Sequence, residues 1–187
     1  MHYLKYILFF CLCSFALYSD QNDKRLDDLF FVLAHTDDDS EMKKATESIW
    51  EIWLETNDPL IEYDFKRGLK LMKVGQLKES IKIFTKVIEN NPNFAEAWNK
   101  RATVYYLIGN FDSSVMDIKQ TLQLEPRHFG AMDGLGLIFI HLQQFEKAID
   151  VYDQMLKILP HNNHTLQKRN RLVDMYLNQP SSQKQAI

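Results

Sequence analysis

The sequence predicts an all-α fold built as a stack of helical hairpins. Three observations carry this. Pro92, Pro126 and Pro160 stand 34 residues apart, and each follows a segment whose apolar residues recur at helical spacing. Gly68, Ala102 and Gly136 repeat with the same period, one helix earlier. The chain of 187 residues holds only six Gly, while helix-compatible Leu, Lys, Ile, Glu and Asp crowd it, which argues against an all-β fold.

Residues 1–19 read as a secretory signal. Lys5 supplies the positive end, Tyr6–Tyr18 is an uncharged apolar run, and polar Ser19-Asp20-Gln21 follows, so cleavage is expected after Ser19. An uncleaved membrane anchor and a buried N-terminal helix are the alternatives; a spanning helix wants ~20 apolar residues, more than this run supplies. The location expected is therefore exported, either periplasmic or secreted. The two cysteines, Cys11 and Cys13, lie inside the run and are lost if it is cleaved. They build neither a disulfide framework nor a multi-cysteine zinc site. Phe10 and Leu12 precede them, where a lipid-attachment motif needs a small residue.

Residues 20–60 form a hairpin of their own. Leu26, Leu29, Phe30 and Leu33 share one helical face. Asp37-Asp38-Asp39-Ser40 makes a turn and caps the next helix, whose apolar face carries Ile49, Ile52 and Trp53. Pro59 lies 33 residues before Pro92, so this hairpin is either a cap or a degenerate repeat. It is also acidic: Asp20–Asp58 holds twelve acids and four bases, against thirteen acids and seventeen bases from Pro59 onward. That asymmetry reads either as solvated helix faces or as an acidic front lying near a basic back. The overall charge of −3 is no signature of a nucleic-acid binder.

Three units follow, 61–94, 95–128 and 129–162. In each, a small residue at 80, 114 or 148 precedes Phe84, Ile118 or Tyr152 by four positions, so both share a helix face. The small residues at 68, 102 and 136 let the paired helix approach closely, and Leu71, Tyr105 and Phe139 fill the space beside it. Gly75 and Gly109 mark the turns, where a left-handed conformation costs little; the third turn has Gln143. Leu77, Phe111 and Phe145 open the second helices. Asn163–Asn178 supplies a terminal cap, with Leu166, Leu172, Val173, Met175, Tyr176 and Leu177 as its apolar contacts and a tail beyond Pro180. One hairpin cannot bury its apolar stripe alone, but stacked hairpins share a continuous core and leave a concave side.

This pattern resembles the tetratricopeptide repeat, a 34-residue helix–turn–helix unit, in its small residues, its prolines and the aromatic Trp98. Asp64 and Met132 depart from it where the family has Trp. The combination of hairpin, signal and three repeats also resembles short exported repeat proteins of alphaproteobacterial type. The resemblance implies a right-handed superhelix (an α-solenoid) with ligands held on the inner helices. Carried onto this chain, the groove candidates are Phe65, Met72, Lys73, Asn99, Tyr106, Arg127, His128, Asp133 and His141. Asn99 would take a backbone amide and Arg127 a carboxylate, through its fork of donors; the structural alternative is that Arg127 caps a helix and Tyr106 packs. His128 and His141, if close, would make binding sensitive to pH near 6–7. The family's two-carboxylate chaperone clamp is not expected, because Phe65, Leu69, Gly130 and Asp133 occupy clamp-type positions and only Asn99 fits.

No catalytic constellation emerges. His161 and His164 lack a third metal ligand nearby and suit a polar turn. Gly130, Gly134 and Gly136 mimic a phosphate loop without the strand that must precede one; Gly130 and Gly134 either loosen their helix or admit a close partner. The expectation is a non-enzymatic protein that needs no cofactor and no metal, binding an unidentified protein or peptide on its concave face. A self-associating structural repeat protein is the alternative.

Overall fold

The computed structural model describes residues 21–178. The signal-like run and the tail beyond Pro180 lie outside the described residues. Within them the chain is helical, with α1 (Arg25–His35), α2 (Asp39–Leu54), α3 (Pro59–Lys73), α4 (Leu77–Asn90), α5 (Ala95–Leu107), α6 (Phe111–Leu124), α7 (Phe129–His141), α8 (Phe145–Ile158) and α9 (Asn163–Leu177). None of these helices is long and apolar enough to cross a membrane.

Local chemistry sets the boundaries. The Asp38 carboxylate accepts from the N–H groups of Ser40 and Glu41, starting α2. Asp58 does the same for Leu60 and Ile61, with Pro59 in the first turn, so α3 starts two residues ahead of the unit expected at 61. Helices α5, α7 and α9 start at 95, 129 and 163, one period apart. Gly75 and Gly109 turn at φ 77° and 76°, and Gln143 is held at φ 58° to make the same turn without a glycine.

The helices α3/α4, α5/α6 and α7/α8 pair as antiparallel neighbours, each pair packs on the next, and α9 closes on α8. A Cβ at residue 68 would stand 2.6 Å from the Phe84 ring, and one at residue 136 would stand 2.7 Å from Tyr152. These are the close approaches read from the period. The Ser80 and Ser114 hydroxyls donate to the carbonyls of Gly68 and Ala102 across the pairs; Ala148 fills the same place without a bond. In α9 only part of the expected apolar set is inside: Leu172 is buried, whereas Leu166, Met175 and Leu177 are exposed.

The hairpin α1–α2 does not stack in front of α3. An open cleft lined by Glu51, Leu54, Glu62 and Lys66 separates α2 from α3. Instead α1 reaches α8 and α2 reaches α5. Leu26, Phe30, Leu33, Ile49, Ile52 and Trp53 join one apolar core with Phe129, Met132, Tyr152 and Met155. At ~25 cal/mol per Å2 of apolar surface, burying such side chains outweighs what an exposed cap could gain.

Candidate functional site

The inner helices α5 and α7 carry most of the positions expected to face a ligand, and the structure divides them into a sealed end and an open strip. The seal is the hairpin. Trp53 lies flat on the His128 ring, with centroids 4.1 Å apart and planes 9° apart. Trp50 stands edge-on to His128 and rests on Gly130. Lys100 holds its ammonium 5.0 Å from the Trp50 ring.

Beneath the two tryptophans sits a buried polar cluster. Glu96 pairs with Lys100 at 2.6 Å and takes hydrogen bonds from His128 Nε2 at 2.9 Å and Asn99 Nδ2 at 2.8 Å. The Ala131 N–H donates to His128 Nδ1, so this ring caps α7 as a neutral imidazole whose proton is on Nε2. Burial raises the pKa of Glu96, but the Lys100 charge and the His128 bond outweigh it and hold the carboxyl below its ordinary range.

Arg127 is committed to the same junction. Its guanidinium grips Glu125 through two nitrogens at 3.0 Å, reaches Asp27 of α1 at 2.8 Å and lies over the Phe30 ring. Burial lowers its pKa, yet the bonds to Glu125 and Asp27 leave it raised overall. Gln21 adds a further tie, donating to the Asn93 carbonyl and accepting from the Ala95 N–H.

The groove candidates therefore sort as follows. Phe65 is core, packed on Phe84 and Phe94, because its face of α3 turns toward α4 and α5 rather than outward. Arg127 and His128 are structural: Arg127 is spent on Glu125 and on Asp27 of the hairpin, and His128 on Glu96 and Trp53. His128 and His141 cap and end α7, so at 1.5 Å per residue they stand about 20 Å apart and do not meet. His141 is exposed and packs against Phe111. Met72 is half-buried on the α3–α4 core, and Lys73 is exposed. Asn99, Tyr106 and Asp133 do come together.

These three, with Thr103 and Leu137, rim a recess of about 170 Å3 over Ala102 and Ile118. Tyr106 packs on Phe111, 5.7 Å between centroids. Asp133 accepts from the Tyr152 hydroxyl at 3.0 Å and from Lys168 at 2.7 Å. The Tyr152 pKa is raised, by burial first and by the Asp133 charge second. Gly134 deepens the recess: a Cβ there would meet nothing nearer than Ile118 Cδ1 at 3.6 Å. Sequence reasoning missed Trp50 and Trp53 as determinants of this face. The signal available was Gly130 itself, a glycine inside a helix with no turn to make.

The comparisons with known proteins agree with this architecture. Two family models, both described as tetratricopeptide repeat, match residues 83–115 and 108–163. A TPR repeat-containing protein of Rhizobium etli is 26% identical over 156 residues, covering 83% of this chain and 76% of that protein. Hsp70-Hsp90 organizing protein 1 of Glycine max is 27% identical over 58% of this chain, which spans only 19% of that longer protein. Among solved structures, the first TPR of Spaghetti (RPAP3) bound to the HSP90 peptide SRMEEVD superposes with a TM-score of 0.59 at 21% identity, covering 63% of this chain and 94% of that one. The Arabidopsis OM64 TPR domain gives 0.58 at 18% identity, over 62% and 95%. Period, helix packing and matched models together place residues 83–163 of this chain in the tetratricopeptide-repeat family.

Proposed function

We propose that this protein is a non-enzymatic adaptor, with α3–α8 forming three repeats, that holds a segment of another protein on the open strip of its inner face. The recess between α5 and α7 carries the reading. At about 170 Å3 it is smaller than the ~300–1,000 Å3 of ordinary small-molecule sites, and it suits one apolar side chain of an extended peptide. Exposed Thr103 and Leu137 rim it, with Asp133 as a polar marker.

The guest differs in chemistry from an acidic chaperone tail. Lys168 is already paired with Asp133, and Arg127 already holds Glu125 and Asp27, so neither is free to grip a carboxylate. A peptide with an apolar anchor and no acidic end fits better. The apolar run at residues 6–18 supports a working place outside the cytoplasm.

The test is peptide selection from a displayed random library against the whole chain, followed by titration with Leu137→Glu and Thr103→Arg. Selected peptides should carry one apolar anchor, and both exposed-site variants should lose them while melting like the parent. Retained binding in both variants, or a consensus ending in acidic residues, would overturn the proposal.

A further inference from the structure

The front face of α3 is a stacking surface on which nothing is packed among the described residues. In the next two units the corresponding positions are covered, by the preceding helix pair and, at His128, by Trp53 of the hairpin. Phe94, Ala97 and Val104 are buried beside α4, and His128, Ala131 and Ile138 are buried at the start and middle of α7. One period before Phe94, Ala97 and Val104 stand Leu60, Tyr63 and Lys70. Leu60 is 77% exposed, Tyr63 68% and Val74, just past the helix, 60%. At 3.6 residues per turn, positions 60, 63, 67, 70, 71 and 74 fall within an arc of about 100°, opposite the buried Phe65.

The other end of the array is finished differently. Along the outer face of α9 run exposed Gln167, Asn170, Arg171 and Asp174, a polar stripe with exposed Leu166, Met175 and Leu177 to either side. The α3 stripe has no acid. It carries Arg67 and Lys70, neither of which is ion-paired with a described residue, and Lys66 and Lys73 flank it. Lys66 is the one of these four that pairs, with Glu62.

We propose that the front face of α3 docks an acidic amphipathic helix of a partner protein, seated where a preceding helix of the stack would lie. Leu60, Tyr63 and Val74 would receive its apolar ridge, and Arg67 and Lys70 its carboxylates. A second copy fits less well. Front against front opposes two sets of Arg67 and Lys70, and front against back meets the polar outer face of α9. This surface points away from the inner strip and works independently of it.

Two labelled sixteen-residue helical peptides provide the probe. One carries Leu at i, i+3, i+7 and i+10 with Glu on both flanks, and the other has Lys in place of every Glu. With the whole chain, fluorescence anisotropy should show the Glu peptide binding at least about tenfold tighter than the Lys peptide, and weakening as salt rises. Tyr63→Glu and Arg67→Glu should each weaken it by about tenfold or more, whereas Leu137→Glu should not. Both front positions are exposed, so the melting temperatures of the two variants should match the parent. The proposal is overturned if neither peptide binds, if both bind equally, or if binding survives both front variants. It is equally overturned if sedimentation shows a dimer that Tyr63→Glu dissolves, which would assign the face to a second copy. Cosedimentation with phosphatidylcholine/phosphatidylglycerol vesicles that Tyr63→Glu abolishes would assign it to a membrane instead.

Discussion

Trp50 lies so close over residue 130 that only glycine fits beneath it: a Cβ there would stand 2.4 Å from Trp50 Cη2 and 3.0 Å from Cζ2. The rim of the indole is hemmed in by Trp53, His128 and Phe129, so it has little room to retreat. Gly130→Val should therefore cost about 1–3 kcal/mol by overpacking and shift tryptophan emission to the red. Adding Trp50→Ala should recover part of that loss in a double-mutant cycle. Strict additivity of the two changes would disprove the contact.

Gly134 and Gly136 lie on the same helix and should answer oppositely to alanine. At 136 a Cβ would meet the Tyr152 ring at 2.7 Å, and the hydroxyl of that ring is fixed on Asp133. Gly136→Ala should destabilise by about 1–3 kcal/mol, and Gly136→Leu should unfold the array. At 134 the space is open, so Gly134→Ala should stabilise by up to about 1 kcal/mol through helix propensity alone. Chemical denaturation of the three variants checks the register of α7 on α8.

Arg127 and Asp27 share an ion pair but should not share its value. Asp27 is largely exposed, so Asp27→Ala should cost less than about 1 kcal/mol. Arg127→Ala leaves Glu125, only 2% exposed, without its guanidinium, and should cost about 1–3 kcal/mol. Thermal melts of the two variants settle this. An Arg127→Ala protein that melts like the parent would return this side chain to the list of free ligand contacts.

Acid should loosen the hairpin through Glu96. The carboxyl is held below its ordinary pKa in the folded chain, so its contribution is full above the unfolded value of about 4.3 and is lost as pH falls through the folded one. Melting temperature should drop below about pH 4, with exposure of Trp53. Glu96→Gln should be less stable at neutral pH and should flatten this part of the acid profile.

Much of the fold could be read from the chain because its determinants are local. The small residues at 68 and 136 and the glycines at 75 and 109 each act within one helix pair, so a 34-residue period exposes them. Gln143 was visible only as an exception, and its turn is set by the neighbouring helices rather than by its own preference. The site was less legible. Phe65 and His128 obey the family's groove register, yet Phe65 is turned onto α4 and α5, and the surroundings of His128 depend on where α1–α2 lands. That landing is decided by apolar matching between segments about a hundred residues apart, such as Phe30 with Phe129, which no period or cap encodes.

The union of Leu26, Phe30, Ile49 and Trp53 with Phe129, Tyr152 and Leu172 also imposes an order on biosynthesis. Translation at roughly 5–20 residues per second leaves the first four waiting about 5–20 s for the partners that shield them. Meanwhile the repeats between can close on nearest neighbours alone. Among the described helices, the first to be made are thus the last to be covered. Asp27, Asp28 and the run Asp37-Asp38-Asp39 set like charges among those greasy faces, a pattern that disfavours association between exposed segments.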